Sequence, residues 1–165
     1  MDGRHAKVHG DSTPAKARGA GKRLRQKGRR EGGAFVLIPH AVIDSANFRR
    51  CSGTAVKLLV GLVRQYRGNN NGDLAPALVP NGPAHQAKAK ALRELVHYGL
   101  LVKTKHGGLG MPSLYALTWC AIDPCRNKLE VSATLKPPGD WKSEVPDFHD
   151  RPKTKAKAGN QHGQG

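Results

Sequence analysis

The stretch 83–105, PAHQAKAKALRELVHYGLLVKTK, constrains the fold most, because a helical pattern ends at a glycine and leads directly into a strand pattern. Apolar residues recur at intervals of three and four, the spacing that lines one face of an α-helix. These residues are Ala84, Ala87, Ala91, Leu92, Leu95 and Val96. Pro83 suits the first helical position, and Gly99 suits a left-handed C-terminal cap. The stretch therefore predicts a helix that delivers the chain into a β-hairpin.

The opposite face of this predicted helix is a polar and largely basic stripe. Its members are Gln86, Lys90, Arg93 and His97, and it is flanked by Ala89 and Glu94. Glutamine pairs bidentately with adenine, and arginine or lysine pairs with guanine, so the stripe suits contacts with base edges in a DNA groove. An ordinary solvated helix face carries the same residue types, which leaves both interpretations open.

The charge of the chain narrows the class of partner. Its 165 residues contain 28 Lys and Arg but only 12 Asp and Glu, which gives a formal net charge of +16 and a pI near 10.3. Such a balance favours a polyanion, because Lys and Arg gain free energy by displacing counterions from phosphates. A ribosomal or membrane-surface protein would share it. No apolar run is long enough to span a bilayer and no hydrophobic signal core is present, so we expect a cytoplasmic protein.

Both ends of the chain, 1–33 and 151–165, are basic and poor in large apolar side chains. They cannot bury enough surface to offset the ordering of their backbone, so both are predicted to be disordered. The densest charge of the N-terminal arm lies just before the folded part, where it suits contact with a nucleic-acid backbone or a minor groove. Its candidate contacts are Arg23, Arg25, Arg29 and Arg30. A solubilising tail or a remnant of expression explains the same composition.

Residues 34–123 are expected to form the folded domain. An amphipathic helix pattern begins at Ser52 or Thr54 and ends at Gly68. A turn and a proline-limited short helix follow, and then comes the helix described above. The hairpin after it is predicted from two strand patterns, 100–105 and 114–119, around the glycine-rich loop 106–113. This order of elements is that of a winged helix-turn-helix domain within the α+β class, in which the helix after the turn enters the major groove. A small α+β domain of no special purpose is the alternative.

Residues 124–150 carry apolar side chains that proline and glycine interrupt. We expect an irregular extension that packs Trp141 on the domain.

Six short motifs resemble a known group of proteins. They are Phe35-x-x-x-Pro39, Ser45-x-x-Phe48, Ala55-x-x-Leu58-Leu59, Asn70-Asn71-Gly72-Asp73-Leu74, Ala91-Leu92-x-Glu94-Leu95-x-x-x-Gly99-Leu100 and Leu114-Tyr115-Ala116-Leu117-Thr118-Trp119. Together they resemble small winged-helix proteins of proteobacterial phages and mobile elements, several of which look like the DNA-binding part of replication initiators. The resemblance covers about 35–141 and implies a winged-helix fold and binding of double-stranded DNA. The chain departs from this pattern at Pro83, where an aromatic residue is common, and at Lys88, where relatives tend to carry leucine.

Position in the predicted fold indicates further candidate contacts with phosphate. Lys103, Lys105 and His106 lie on the predicted wing, and Arg49 with Arg50 precedes a helix.

Catalysis finds little support in the sequence, so no enzymatic activity is expected. The acidic residues are mostly isolated, and no paired carboxylates stand near a histidine in a recognisable order. Cys120 and Cys125 with His149 fall short of four metal ligands at a familiar spacing, so we expect no metal and no cofactor. The three cysteines, which include Cys51, are expected to be reduced thiols.

Three functions are compatible with the sequence. The leading hypothesis is a DNA-binding protein of a phage or mobile element that acts in replication initiation or transcriptional regulation. The second is a phage-encoded inhibitor that turns its basic surface against a host complex that handles nucleic acid, a hypothesis motivated by Pro83, Lys88 and the long tails. An RNA-binding or ribosome-associated role is the third. The oligomeric state stays open, and a dimer is compatible with every one of these functions.

Overall fold

The computed structural model describes residues 34–150, which form a mixed α+β fold with a two-stranded antiparallel sheet. The helices are α1 (His40–Ile43), α2 (Ala46–Arg49), α3 (Gly53–Val63) and α4 (His85–His97). The strands are β1 (Leu101–Lys105) and β2 (Leu114–Leu117), and short 3₁₀ segments lie at Pro76–Leu78, Cys125–Asn127 and Asp140–Lys142. The predicted α+β class is confirmed. The predicted arm 1–33 and tail 151–165 lie outside the described residues.

Helix α3 is amphipathic as predicted, but it ends at Val63 instead of continuing to Gly68. Ser52 caps its N-terminus, where the Ser52 Oγ accepts a hydrogen bond from the backbone N–H of Ala55 at 3.3 Å. At the other end, the amide group of Asn70 donates to the carbonyl oxygen of Gln65 at 3.0 Å. A polar side chain thus takes over a carbonyl that a longer helix would use, and the helix stops.

Helix α4 packs on α3 and on β1, but only its C-terminal half is buried. Its buried residues are Ala91, Glu94 and Leu95, whereas three residues of the predicted apolar face, Ala84, Ala87 and Val96, are exposed. The prediction is confirmed for Ala91, Leu92 and Leu95, which lie in or against the core, and it was wrong for the other three. Ala84 and Ala87 precede the part of the helix that the core reaches, and Val96 lies at the edge of the buried face, 41% exposed.

Glu94 departs from its predicted place beside the polar stripe, because its side chain is only 4% exposed. Its carboxylate accepts hydrogen bonds from the backbone N–H of Ser52 and, at 2.8 Å, from the Ser52 hydroxyl. Ser52 is the N-cap of α3, where the helix dipole favours a negative charge. Glu94 therefore ties α4 to the start of α3.

Gly99 closes α4 and turns the chain into β1. The backbone N–H of Gly99 donates to the carbonyl of Val96 at 3.1 Å, and that of Leu100 donates to the carbonyl of Leu95 at 2.9 Å, which is the Schellman arrangement. Gly99 has a φ of +65°, and a Cβ at this position would lie 2.7 Å from the carbonyl oxygen of Asp140. Conformation and close packing both require glycine here.

We expect Gly99→Ala to lower the free energy of unfolding by about 3 kcal/mol, the sum of backbone strain and the contact with Asp140. Gly68→Ala is the matched control, because Gly68 has a φ of +94° and no atom within 4 Å of an added Cβ. It should lose only about 1 kcal/mol. Urea denaturation measures both values, and equal losses would show that the contact with Asp140 has no energetic effect.

Strands β1 and β2 form an antiparallel hairpin in which Leu101 lies opposite Leu117 and Lys103 lies opposite Tyr115. The register shifts between Lys103 and Lys105, where a bulge bends the strand. On the edge of β2 that faces away from β1, Tyr115 exchanges two backbone hydrogen bonds with Leu74, at 3.0 and 3.2 Å. The segment before α4 is thereby attached to the hairpin.

Asn71 is fully buried and its side chain ends β2 at Leu117, two residues before the predicted end. The Asn71 Oδ1 accepts from the backbone N–H of Leu117 at 2.7 Å. The Asn71 Nδ2 lies within hydrogen-bond distance of three carbonyl oxygens, those of Leu117 (2.9 Å), Cys120 (3.1 Å) and Ala121 (2.9 Å). The chain turns away from the sheet where this side chain satisfies its backbone.

The core lies between α3, α4 and the hairpin. Its buried residues are Val42, Ala55, Leu58, Leu59, Leu62, Val63, Leu74, Val79, Ala91, Leu95, Tyr98, Leu100, Leu101, Tyr115 and Leu117. Three side chains of the C-terminal extension, Trp141, Val145 and Phe148, pack against this cluster and are partly buried.

Asn47 of α2 holds the extension in place. Its side chain is 1% exposed, and its Nδ2 donates to the carbonyl oxygens of Trp141 (3.2 Å) and Ser143 (2.8 Å). Its Oδ1 accepts from the backbone N–H of Val145 at 3.2 Å. One buried amide therefore pairs three backbone groups of an otherwise irregular segment, which leaves none of them unsatisfied.

Candidate nucleic-acid interface

The N-terminal half of α4 extends beyond the core and carries the free part of the predicted stripe. Gln86 and Lys90 are exposed and lie one turn apart on the same side of the helix. Neither side chain makes an ion pair or a hydrogen bond within residues 34–150. Lys88 is half-buried. Two polar side chains are thus available to a ligand on the half of α4 that contributes no residue to the core.

The start of α4 adds positive potential to this surface. Its N-cap residue, Ala84, offers no side-chain hydrogen bond, and the first turn contains no acidic residue. The backbone N–H groups of the first turn therefore have no capping side chain, and the positive end of the helix dipole is not neutralised.

The hairpin carries two of the predicted phosphate contacts. Lys103 is exposed, with its Nζ 6.0 Å from the ring centroid of Tyr115, and Lys105 is half-buried. His106 is engaged elsewhere, because its Nδ1 lies 2.7 Å from the Glu130 carboxylate. Hydrogen bonds from the His106 side chain and then from its backbone lower the pKa of Glu130. Lys103 and Lys105 remain the free cations of this part of the interface within residues 34–150.

Residues 140–150, here called the acidic segment, contain four carboxylates and a single lysine, Lys142. Arg50 donates to the carbonyl oxygen of Val145 at 2.6 Å, forms an ion pair with Glu144, and lies 3.5 Å from the Asp147 carboxylate. Its neighbour Arg49 is exposed and forms no ion pair with any described residue.

The same segment reaches the C-terminal half of the α4 stripe. Arg93 donates from Nε and Nη2 to the two carboxylate oxygens of Asp150, at 2.9 and 3.0 Å. The His97 Nε2 lies 2.7 Å from the carbonyl oxygen of Pro146, and the His97 ring packs against Phe148 with centroids 5.6 Å apart. The stripe is therefore divided, because Gln86 and Lys90 are free, whereas Arg93 and His97 are hydrogen-bonded to the acidic segment although both remain exposed.

The structure thus groups the predicted site residues in three ways. Gln86 and Lys90 share one helix face, Lys103 and Lys105 lie on the hairpin, and the acidic segment brings together Arg50, Arg93 and His97. Four predicted contacts, Arg23, Arg25, Arg29 and Arg30, lie outside the described residues.

Sequence patterns did not single out Asn47, Glu144 or Asp150, which organise the hydrogen-bonded part of the stripe. One signal for them is present, because four of the nine carboxylates in 34–150 fall within the eleven residues of the acidic segment. In a chain as basic as this one, such a local concentration indicates an internal partner for exposed arginines.

No family model, curated protein or solved structure matches this chain. What it binds must therefore be inferred from its own residues. Within residues 34–150 no group of three or more His, Cys, Asp or Glu side chains is arranged to hold a metal ion. In the same part of the chain, no helix is both long and apolar enough to cross a bilayer.

The cysteines are free thiols in half-buried positions. Burial, together with the nearby charge of Glu94, raises the pKa of the Cys51 thiol to about 12. Burial is also the main cause that raises the pKa of Cys120 and Cys125. The thiolate is the reactive form, so these environments disfavour nucleophilic chemistry at all three positions.

Proposed function

We propose that this chain is a DNA-binding winged helix-turn-helix protein of a phage or mobile element, acting in replication initiation or transcriptional regulation. In this proposal α3, the 3₁₀ segment Pro76–Leu78 and α4 form the helical part, with α4 as the recognition helix. The β1–β2 hairpin is the wing, and Leu74 opposite Tyr115 supplies a third, minimal strand. The order of these elements along the chain supports this assignment.

One observation carries the proposal: the N-terminal half of α4 projects from the core with Gln86 and Lys90 exposed and unpaired among the described residues. A helix must present a free half to reach base edges in the major groove, and its first turns are the part that enters. Gln86 suits adenine and Lys90 suits guanine or a phosphate. Lys103 and Lys105 would then contact the backbone, which fixes the position of the helix.

The distribution of charge supports a polyanionic partner. Fourteen of the 28 Lys and Arg residues lie in 34–150, against nine carboxylates, and the other fourteen lie in 1–33 and 151–165. The folded part is therefore only moderately basic, and its two ends hold most of the excess charge. Non-specific affinity for DNA would come mainly from the ends, whereas α4 would supply the specificity.

A fluorescence-anisotropy titration with labelled duplex DNA tests the proposal. We expect binding at 50 mM salt, and an affinity that falls at least roughly 40-fold by 200 mM salt if Lys90, Lys103 and Lys105 each contact a phosphate. Gln86→Ala, which leaves the charge unchanged, should lower the preference between DNA sequences without changing the salt dependence. Absence of binding at low salt, or an affinity that salt does not change, would contradict the proposal.

A second function, an inhibitor that binds a host nucleic-acid-handling complex, is favoured by exposed apolar side chains near the same surface. Leu109 and Met111 at the tip of the hairpin are 106% and 57% exposed, and Leu78 before α4 is 71% exposed. Exposed apolar side chains are common in protein–protein interfaces, whereas contacts with a phosphate backbone are made by polar and charged side chains. A partner that the full chain retains from host lysate after nuclease treatment, and that Leu109→Ser releases, would support this function over DNA binding.

A further inference from the structure

Carboxylate and carbonyl oxygens of the acidic segment bind Arg50, which follows α2, and Arg93 and His97 in the C-terminal half of α4. Arg93 holds Asp150 through two parallel N–H···O hydrogen bonds. That fork is the geometry in which guanidinium groups also bind phosphate. Arg50 meets two carboxylates, those of Glu144 and Asp147, and also a backbone carbonyl. The segment therefore presents to these arginines the kind of acceptors that a nucleic-acid backbone would present.

The segment is attached firmly at its start and weakly at its end. Asn47, Trp141 and Val145 join its first half to α2 and the core through buried groups. Beyond Val145 only Phe148 packs on the core, and the side chains of Asp147, Arg93 and Asp150 are 73%, 48% and 25% accessible. Ion pairs at such exposure are screened by salt and contribute little to stability. The carboxylates of Asp147 and Asp150 can thus leave the arginines while the anchored half, which includes the backbone of Glu144, stays in place.

We infer that Glu144–Asp150 is a built-in competitor of nucleic acid, which covers Arg50, Arg93 and His97 until a phosphate backbone displaces it. This inference rests on the proposed DNA-binding function and adds a regulation of the same surface. The competitor lowers the affinity for every polyanion, because each must displace it. It favours ligands that also bind Gln86 and Lys90, since these additional contacts offset the free energy that the displacement costs. Free α4 residues therefore read the ligand first, and the covered arginines bind after the segment has moved.

The test compares two variants of the full chain that have the same net charge. Glu144→Gln with Asp150→Asn removes carboxylates that face Arg50 and Arg93. Asp44→Asn with Asp140→Asn removes two exposed carboxylates that form no ion pair within residues 34–150. In anisotropy titrations with duplex DNA, the first variant should bind about tenfold more tightly than the second and show a salt slope steeper by about two.

Hydrogen exchange supplies a second measurement on the wild-type chain. The backbone N–H of Phe148 donates to the Tyr98 hydroxyl at 3.1 Å, so its protection reports whether the segment is docked. Duplex DNA should lower this protection. Equal affinities of the two variants, or DNA binding that leaves the protection unchanged, would overturn the inference while the proposed function stands. Failure of the wild type and both variants to bind DNA at low salt would overturn both.

Discussion

Replacing Asn71 with alanine is expected to lower the free energy of unfolding by about 4 kcal/mol, close to the whole stability of many domains of this size. The side chain is 0% exposed, and it binds the backbone N–H and carbonyl of Leu117 and the carbonyls of Cys120 and Ala121. Alanine removes the partner of the buried Leu117 N–H and the Asn71 donor of three carbonyls, of which only that of Leu117 keeps a backbone partner within residues 34–150, the N–H of Cys120. Each unsatisfied buried group costs about 1–3 kcal/mol.

The neighbouring Asn70→Ala is the matched control for this prediction. Asn70 also makes two side-chain hydrogen bonds, to the backbone N–H of Arg67 and the carbonyl of Gln65, but Arg67 is exposed and Gln65 half-buried. Water replaces the lost partners at such positions, so the loss should be about 1 kcal/mol. Thermal and urea unfolding monitored by circular dichroism would measure both variants. Similar stabilities for the two would show that the Asn71 hydrogen bonds do not hold the end of β2.

The second large effect concerns binding. Lys90→Glu combined with Lys105→Glu should lower the affinity for duplex DNA about 100-fold at 0.1 M salt and reduce the salt slope by about two. Both side chains belong to the proposed interface, and each reversal replaces an attraction to phosphate with a repulsion. An anisotropy titration over several salt concentrations measures the affinity and the slope together.

Lys57→Glu with Lys136→Glu is the control of equal charge. Lys57 lies on the exposed side of α3, Lys136 lies in the extension, and neither forms an ion pair within residues 34–150. This variant should lose less than about tenfold in affinity, since distant charges act only through a screened field. Equal losses for the two double variants would mean that the chain binds DNA through its overall charge and that α4 does not direct it.

Local patterns predicted the part of the fold that local forces determine. The spacing of apolar residues located α3 and α4, and Gly99 marked the end of α4 because a left-handed cap favours glycine. The hairpin followed from two strand patterns around a glycine-rich loop, and it formed between Leu101–Lys105 and Leu114–Leu117. Gln86 and Lys90 are exposed as predicted, but Ala84 and Ala87 of the predicted apolar face are exposed too, because the first half of α4 contributes no residue to the core.

Contacts between distant residues determined what the sequence could not predict. Glu94 is a charged residue type that usually lies on the surface, yet it is buried where its carboxylate accepts hydrogen bonds from Ser52, 42 residues earlier. The ion pair of Arg93 likewise depends on Asp150, which lies 57 residues further along the chain. Periodicity reports which face of an element is apolar, but it carries no information about which distant polar group completes the other face.

The three hydrogen bonds of Asn47 have a consequence for the order of folding. They join residues separated by 94, 96 and 98 positions, which makes them among the most non-local contacts of the domain. Closing so long a loop is slow, and it requires a chain that has been synthesised beyond Val145. A nascent chain can therefore assemble α3, α4 and the hairpin first, and Arg50 and Arg93 have no carboxylate partners until Glu144 and Asp150, respectively, leave the ribosome.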